Sequence, residues 1–124
     1  CVMQITAAGG SALLSGDIPK DAELRLARRY GANLRSEILL APHHGGKDSS
    51  TAEFLRAVSP AAAVFSAGAE NRFGHPREDV LQRTRLAGAA IYRTDRDGAI
   101  VAEIAEDGIR ITKWRDRHRR YWHF

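Results

Sequence analysis

The chain has 124 residues, 44% hydrophobic and 27% charged, with a formal net charge of +4 at neutral pH. That length suits one domain with its own core, and the composition excludes a disordered, collagen-like or coiled-coil polypeptide. No apolar run approaches the roughly 18 residues of a membrane span, the opening CVMQITAAGG lacks the basic start of a signal peptide, and the one cysteine, Cys1, has no internal partner. A start at Cys rather than Met, inside a β-rich run, leads us to expect a segment of a longer polypeptide. The pI is about 9.7, but the basic excess sits at one end. Residues 114–124 read WRDRHRRYWHF, with four Arg and two His against one Asp. We therefore divide the chain into a nearly neutral body, 1–113, and a basic aromatic tail, 114–124.

In chain order, residues 2–7 are β-rich, Gly9-Gly10 marks a turn and residues 11–15 form a second strand, which predicts an opening hairpin. Asp21 is placed to cap a helix over 22–30, whose Leu24, Leu26 and Ala27 form an apolar face and which Gly31 ends. Residues 36–42 have the unbroken apolar centre of a strand buried on both faces. A loop, 43–50, follows, and Ser50 or Thr51 caps a short helix to Val58 that Pro60 closes. Residues 61–66 predict another buried strand, 67–75 a long polar loop, and Pro76 the first turn of a helix to about Leu86. A strand over 90–94 is followed by a hairpin turn at 95–98 and a return strand over 99–105. Residues 106–108 turn the chain once more into a strand over 109–114. The order β-β-α-β-α-β-α-β-β-β, with antiparallel hairpins at both ends, predicts a layered α/β domain with a mixed β-sheet.

Three polar clusters follow strands directly. Asp17 closes LLSGD, His43 and His44 close ILLAPHH, and Asn71, Arg72 and His75 lie after AAAVFS. Ligands of α/β sheets gather at the carboxyl ends of strands, so the three clusters predict one site built from three segments. A carboxylate with imidazoles is the donor chemistry of zinc, or of manganese and iron where more oxygens join. Adjacent histidines on an extended segment point to opposite sides; in a turning loop one can bind metal while its neighbour reaches substrate. Gly45-Gly46 permits a sharp turn and a close approach. Ser49 and Ser50, ahead of a helix, offer hydroxyls and free N–H groups suited to a phosphate.

Each of these features has a plain structural counterpart. Asp17 suits a turn, His75 a packed loop, the RTDR string at 93–96 a solvated turn that Asp95 or Asp97 anchors, and the tail a solvated terminus. The HHGG run has no such counterpart, because paired imidazoles and glycines after a buried strand serve no packing purpose. In the tail, Arg115, Arg117, Arg119 and Arg120, interleaved with Tyr121 and Trp122, are compatible with stacking on single-stranded nucleic acid.

Taken as an ordered set, LLSGDI, ILLAPHHGGKDSS, FLRAVSPAAAVFSAGAENRFGHPREDVL and YRTDRDGAI closely resemble the second half of the metallo-β-lactamase-like domain of ComEC-type competence proteins. Those are inner-membrane channels that internalise transforming DNA. The resemblance covers residues 2–105 and implies half of an αββα sandwich, with helices packed on a mixed sheet. For the intact domain it implies a metal-dependent phosphodiesterase or nuclease acting on incoming DNA, with two divalent ions, zinc or manganese. Asp17 would bridge the ions and take part in catalysis, and His44 would be a metal ligand. His43 would contact the phosphate or act as an acid, with Ser49, Ser50, Asn71 and His75 as further substrate or phosphate contacts. The HxHxDH string that should precede this segment does not occur in these residues, so weak metal binding and little activity are expected of the segment alone. The implied partners are a single DNA strand, the remainder of the parent channel, and a second copy through an exposed sheet edge. The implied place is the inner membrane, with this domain outside the cytoplasm. The alternative is a catalytically inactive DNA-binding or structural module of the channel.

Overall fold

The computed structural model describes residues 1–118. β1 (Met3–Ala7) and β2 (Gly10–Leu14) form an antiparallel hairpin, and β2 continues into a parallel set with β3 (Ile38–Leu40), β4 (Ala62–Phe65) and β5 (Ala90–Arg93). The sheet order is β1-β2-β3-β4-β5. Each parallel step moves one strand in the same direction, so right-handed crossovers place every connecting helix on the same face. Those helices are α1 (Lys20–Tyr30), α2 (Ala52–Val58) and α3 (Glu78–Leu86).

The register explains the core. Leu13, Leu39, Ala63 and Ile91 are successive partners across the parallel strands, so a period of two sets them on one face. Leu13 and Leu39 pack with Phe54, Leu55 and Val58 of α2, and Ala63 and Phe65 pack with Val80 and Leu81 of α3. Full burial of each large side chain contributes about 1.5–3 kcal/mol.

The opposite face carries Leu14, Leu40, Val64 and Tyr92, by the same register. A second hairpin, β6 (Ile100–Ala105) and β7 (Gly108–Lys113), crosses it. Its turn end meets the first hairpin so closely that a Cβ on Gly9 would lie 1.4 Å from Ala105 O. At its other end, Lys113 Nζ lies 5.5 Å from the Tyr92 ring centroid. Met3 and Ile5, on the same face of β1, remain exposed. Among the described residues, no helix is long and apolar enough to cross a membrane.

The α/β class, the mixed sheet and the order of the main elements are as the sequence predicts, and four local features differ. Residues 95–98 are not a hairpin turn: Thr94–Asp97 winds into one helical turn, α4, and the next strand leaves the sheet to pair with β7 rather than with β5. The cause is the buried Asp97 carboxylate, which accepts the Arg93 amide (2.9 Å) and Arg96 Nε (3.2 Å) and lies 3.6 Å from Lys113 Nζ. Asp21 does not cap α1; the helix begins at Lys20 behind Pro19, and Asp21 sits in the first turn, where its charge suits the helix dipole. The third strand is short because Pro42 opens a 3-10 turn (Pro42–Gly45). Pro76 follows a cis peptide bond and precedes α3 instead of opening it. Of the two candidate caps for α2, Thr51 takes the role, its Oγ1 accepting the Phe54 amide.

Burial alone would raise the Asp97 carboxyl, but the Arg93 amide, Arg96 and Lys113 hold it below its ordinary 3.8. The folded chain binds this proton less readily than the unfolded chain. Asp97 therefore stabilises the fold above about pH 4, and the contribution is lost as pH falls through the lowered folded value. We expect Asp97→Asn to melt several degrees below the wild type at pH 7. That gap should narrow progressively as melts are run at more acidic pH below the ordinary 3.8.

Candidate metal centre

Because β2 to β5 are parallel, their carboxyl ends share one rim, and the three predicted clusters meet there. The 43–44 segment is tied to the 16–17 segment by the His43 amide, which donates to Gly16 O (3.0 Å). His43 and His44 both adopt left-handed backbone angles, φ 52° and 57°. For non-glycine residues that geometry costs on the order of 1–3 kcal/mol each and is concentrated at functional sites. It also lets two neighbouring imidazoles remain exposed at the end of a buried strand.

His44 is the hub. Its Nδ1 lies 2.7 Å from Ser66 O, which can only accept, so Nδ1 carries the proton. Its Nε2 lies 3.3 Å from Asp17 Oδ1. In the neutral ring that places a lone pair against a carboxylate oxygen, an arrangement that calls for a proton or a cation between the two atoms. Donors about 2.0–2.1 Å from one tetrahedral ion would themselves stand about 3.3 Å apart. The pair therefore fits as two ligands of a divalent ion, with the Ser66 carbonyl fixing the imidazole from behind, as outer partners of metal-bound histidines do.

His75 faces the same space. Its ring centroid is 5.9 Å from that of His43 and 5.7 Å from that of Phe73. Gly46 lies beneath both imidazoles: a Cβ there would be 2.9 Å from His43 Nδ1 and 2.9 Å from His75 Cε1. Burial, and then the nearby His43, His44 and Arg77, push the His75 imidazole below its ordinary value. It is therefore neutral at pH 7. His44, Asn71, Phe73 and His75 line an open cavity of about 320 Å³ together with residues 66–68.

Other predicted contacts turn inward. The Asn71 amide bonds His75 O (2.6 Å) and Gly68 O (3.0 Å) while its Oδ1 accepts the His75 amide (2.9 Å), so it staples the loop that presents His75. Ser49 and Ser50 are buried. Ser49 Oγ donates to Gly46 O (2.7 Å), and Ser50 Oγ has no hydrogen-bond partner among the described residues. The amides expected to be free for a phosphate are occupied: those of Ser50 and Thr51 donate to Glu23 at 3.0 and 2.8 Å. Of the tail residues, Arg115 and Arg117 lie on α5 (Trp114–Arg117), whereas Arg119, Arg120, Tyr121 and Trp122 fall outside the described residues.

Three residues that hold the site escaped the sequence reading. Glu23 is fully buried, and that burial raises its carboxyl above the ordinary value against the opposing pull of the Thr51 and Ser50 amides and Arg83. Its position three and four residues before Leu26 and Ala27, on an apolar helix stripe, was the available signal. Arg83 donates to Ser50 O (2.8 Å) and Ser49 O (2.9 Å) across more than thirty residues, and no local pattern announces it. Thr94 Oγ1 pairs with both the amide and the carbonyl of Ala67, each at 2.9 Å, and fixes the start of the cavity loop. Among the described residues, no group of three or more His, Cys, Asp or Glu side chains converges on one point.

No protein-family model matches the chain. Competence protein ComA of Neisseria gonorrhoeae is 38% identical over 122 residues, which is 98% of this chain and 18% of that protein. ComE operon protein 3 of Bacillus subtilis is 34% identical over 99 residues, 80% of this chain and 13% of that protein. Recombination protein 2 of Haemophilus influenzae is 28% identical over 117 residues, 94% of this chain and 14% of that protein. The chain belongs to the ComEC-type competence proteins. It spans less than a fifth of the length of these relatives. In this competence-protein segment the candidate centre stands on a buried carboxylate, which sets a direct expectation. Glu23→Ala should lower stability by about 2 kcal/mol or more in urea unfolding, because the buried Ser50 amide and the half-buried Thr51 amide lose their acceptor. Glu23→Gln, which keeps one oxygen, should fall between that variant and the wild type.

Proposed function

We propose that this chain supplies part of a metal-dependent phosphodiester-cleaving centre that acts on DNA during competence, within a longer membrane-associated parent. The competence relatives support a role in competence and DNA uptake. The observation that carries the chemical reading is His44, whose Nδ1 is committed to Ser66 O while Nε2 is aimed at Asp17 Oδ1.

In this reading Asp17 and His44 hold a zinc or manganese ion, and two such ions fill the intact centre. A divalent ion supplies, when bound, positive charge that polarises a phosphoryl oxygen and acidifies water. His43, exposed beside the pair, hydrogen-bonds a phosphoryl oxygen or delivers a proton to the leaving oxygen. His75, neutral and held by Asn71, orients the substrate from the cavity side. Ser49, Ser50 and Asn71 act by shaping the loops that carry the imidazoles. The remaining metal donors come from parts of the parent outside this segment, since a catalytic zinc takes about three protein ligands and this rim contributes two. The outer edge of β1, which pairs with no strand among the described residues, has Met3 and Ile5 exposed and suits contact with the rest of the parent or with a second copy.

The small number of donors also favours a second reading, a DNA-binding or structural module of the channel without cleavage. The two separate in one experiment. The parent segment, extended upstream to complete the donor set, is tested for manganese- or zinc-dependent cleavage of labelled single-stranded DNA. Asp17→Ala and His44→Ala should each lower the rate by about 100-fold or more, and chelation should abolish it. Cleavage that survives both substitutions would sink the metal assignment, and salt-sensitive binding without cleavage would favour the module.

A further inference from the structure

The basic tail begins on the rim of the candidate centre. The Trp114 amide donates to Ala99 O (2.8 Å), and Arg115 Nη1 donates to Asp95 O (3.3 Å) and Arg96 O (2.6 Å), closing the end of α4. Gly98 makes room for this, since a Cβ there would lie 3.1 Å from Arg115 Cγ. α4 also holds the cavity wall, through Thr94 and Ala67. Contacts therefore run without a gap from His44 to Ser66, through Ala67 and Thr94, and on to Arg115.

On this ledge the Trp114 indole is 51% exposed. The His118 ring stacks on it, with centroids 3.7 Å apart and planes inclined by 11°. Arg117 and His118, next along the chain, are exposed, as is Arg96 of α4, whose Nε pairs with Asp97 (3.2 Å). We propose that Trp114, backed by His118 and flanked by Arg96 and Arg117, is a stacking platform for a single strand of DNA passing the rim. The strand's course toward the cavity rests on the phosphodiesterase reading; binding at the platform does not. Flat rings interleaved with guanidinium groups are how single strands are held without regard to sequence. A duplex would offer phosphates but no open base, and an anionic lipid surface would meet the charges without needing stacked rings.

The test reads binding alone. The full 124-residue chain is titrated into a fluorescein-labelled oligothymidylate in EDTA, with anisotropy as the signal. Trp114→Ala should weaken binding by about 5- to 100-fold and leave the salt dependence unchanged, while Trp114→Phe should retain most of the affinity. Trp114→Leu, which keeps apolar bulk without a π face, should behave as the Ala variant does and guards against a loss caused by misfolding. Arg117→Ala should reduce the salt slope by about 0.7. Because the titration is run in EDTA and reads binding alone, it does not depend on the metal reading, so a failure of the cleavage reading and a failure of the platform are distinguishable. Unchanged affinity in Trp114→Ala, or tighter binding of the wild type to a duplex or to phosphatidylserine vesicles, would overturn the proposal.

Discussion

Glu23 has no exposed surface, yet its two oxygens accept the Ser50 and Thr51 amides, and most of the candidate centre depends on that arrangement. An unpaired carboxylate at such a depth would be strongly destabilising. Here the Ser50 and Thr51 amides, just ahead of α2, satisfy it, and Arg83 approaches from α3 to take the Ser49 and Ser50 carbonyls. The loop is thus gripped at its amides from one helix and at its carbonyls from another. Ser49 carries the constraint to Gly46, and Gly46 lies beneath His43 and His75. A loop with four non-glycine residues at positive φ (His43, His44, Asp48 and Ser50) keeps one shape because its ends are held this firmly.

The rim above this support is built for asymmetry among its imidazoles. His44 has one nitrogen committed to a carbonyl and the other turned to a carboxylate, the orientation a ligand needs. Burial, with His43, His44 and Arg77 nearby, holds the His75 imidazole below its ordinary value, so at pH 7 it offers hydrogen bonding without adding charge. His43 is exposed, its ring centroid 5.9 Å from that of His75. Three residues of one chemical type are thereby set in different surroundings by their partners alone.

The sheet explains why these tasks meet. All three connecting helices lie on one face because the parallel strands advance in one direction, and the opposite face is left for the β6–β7 hairpin. That hairpin begins and ends at the rim, so α5 follows it directly beside α4, which caps β5. The basic tail is therefore anchored at the carboxyl ends of the strands rather than at a distant corner. The same arrangement leaves Met3 and Ile5 uncovered on a chain that corresponds to less than a fifth of its relatives.

Local chemistry was enough to reveal the α/β class, the hairpins at the two ends, the buried interior strands and the rim on which the three polar clusters meet. Those features follow from periodicity, from Gly and Pro punctuation and from polar residues set directly after apolar runs, all of which act over a few residues. Asp97 defeated the hairpin expected at 95–98 because its partners, Arg93 and Lys113, are collected by folding and have no counterpart in a turn motif. Ser49 and Ser50 read as phosphate contacts because an isolated helix start has free amides; only packing brings Glu23 to fill them. Arg83 and Thr94 act across more than twenty-five residues and carry no local mark. Amino-acid order decided which groups this rim would contain. Folding alone decided which of them face outward, because burial and long-range pairing determine which polar groups are already satisfied and which remain open to a ligand.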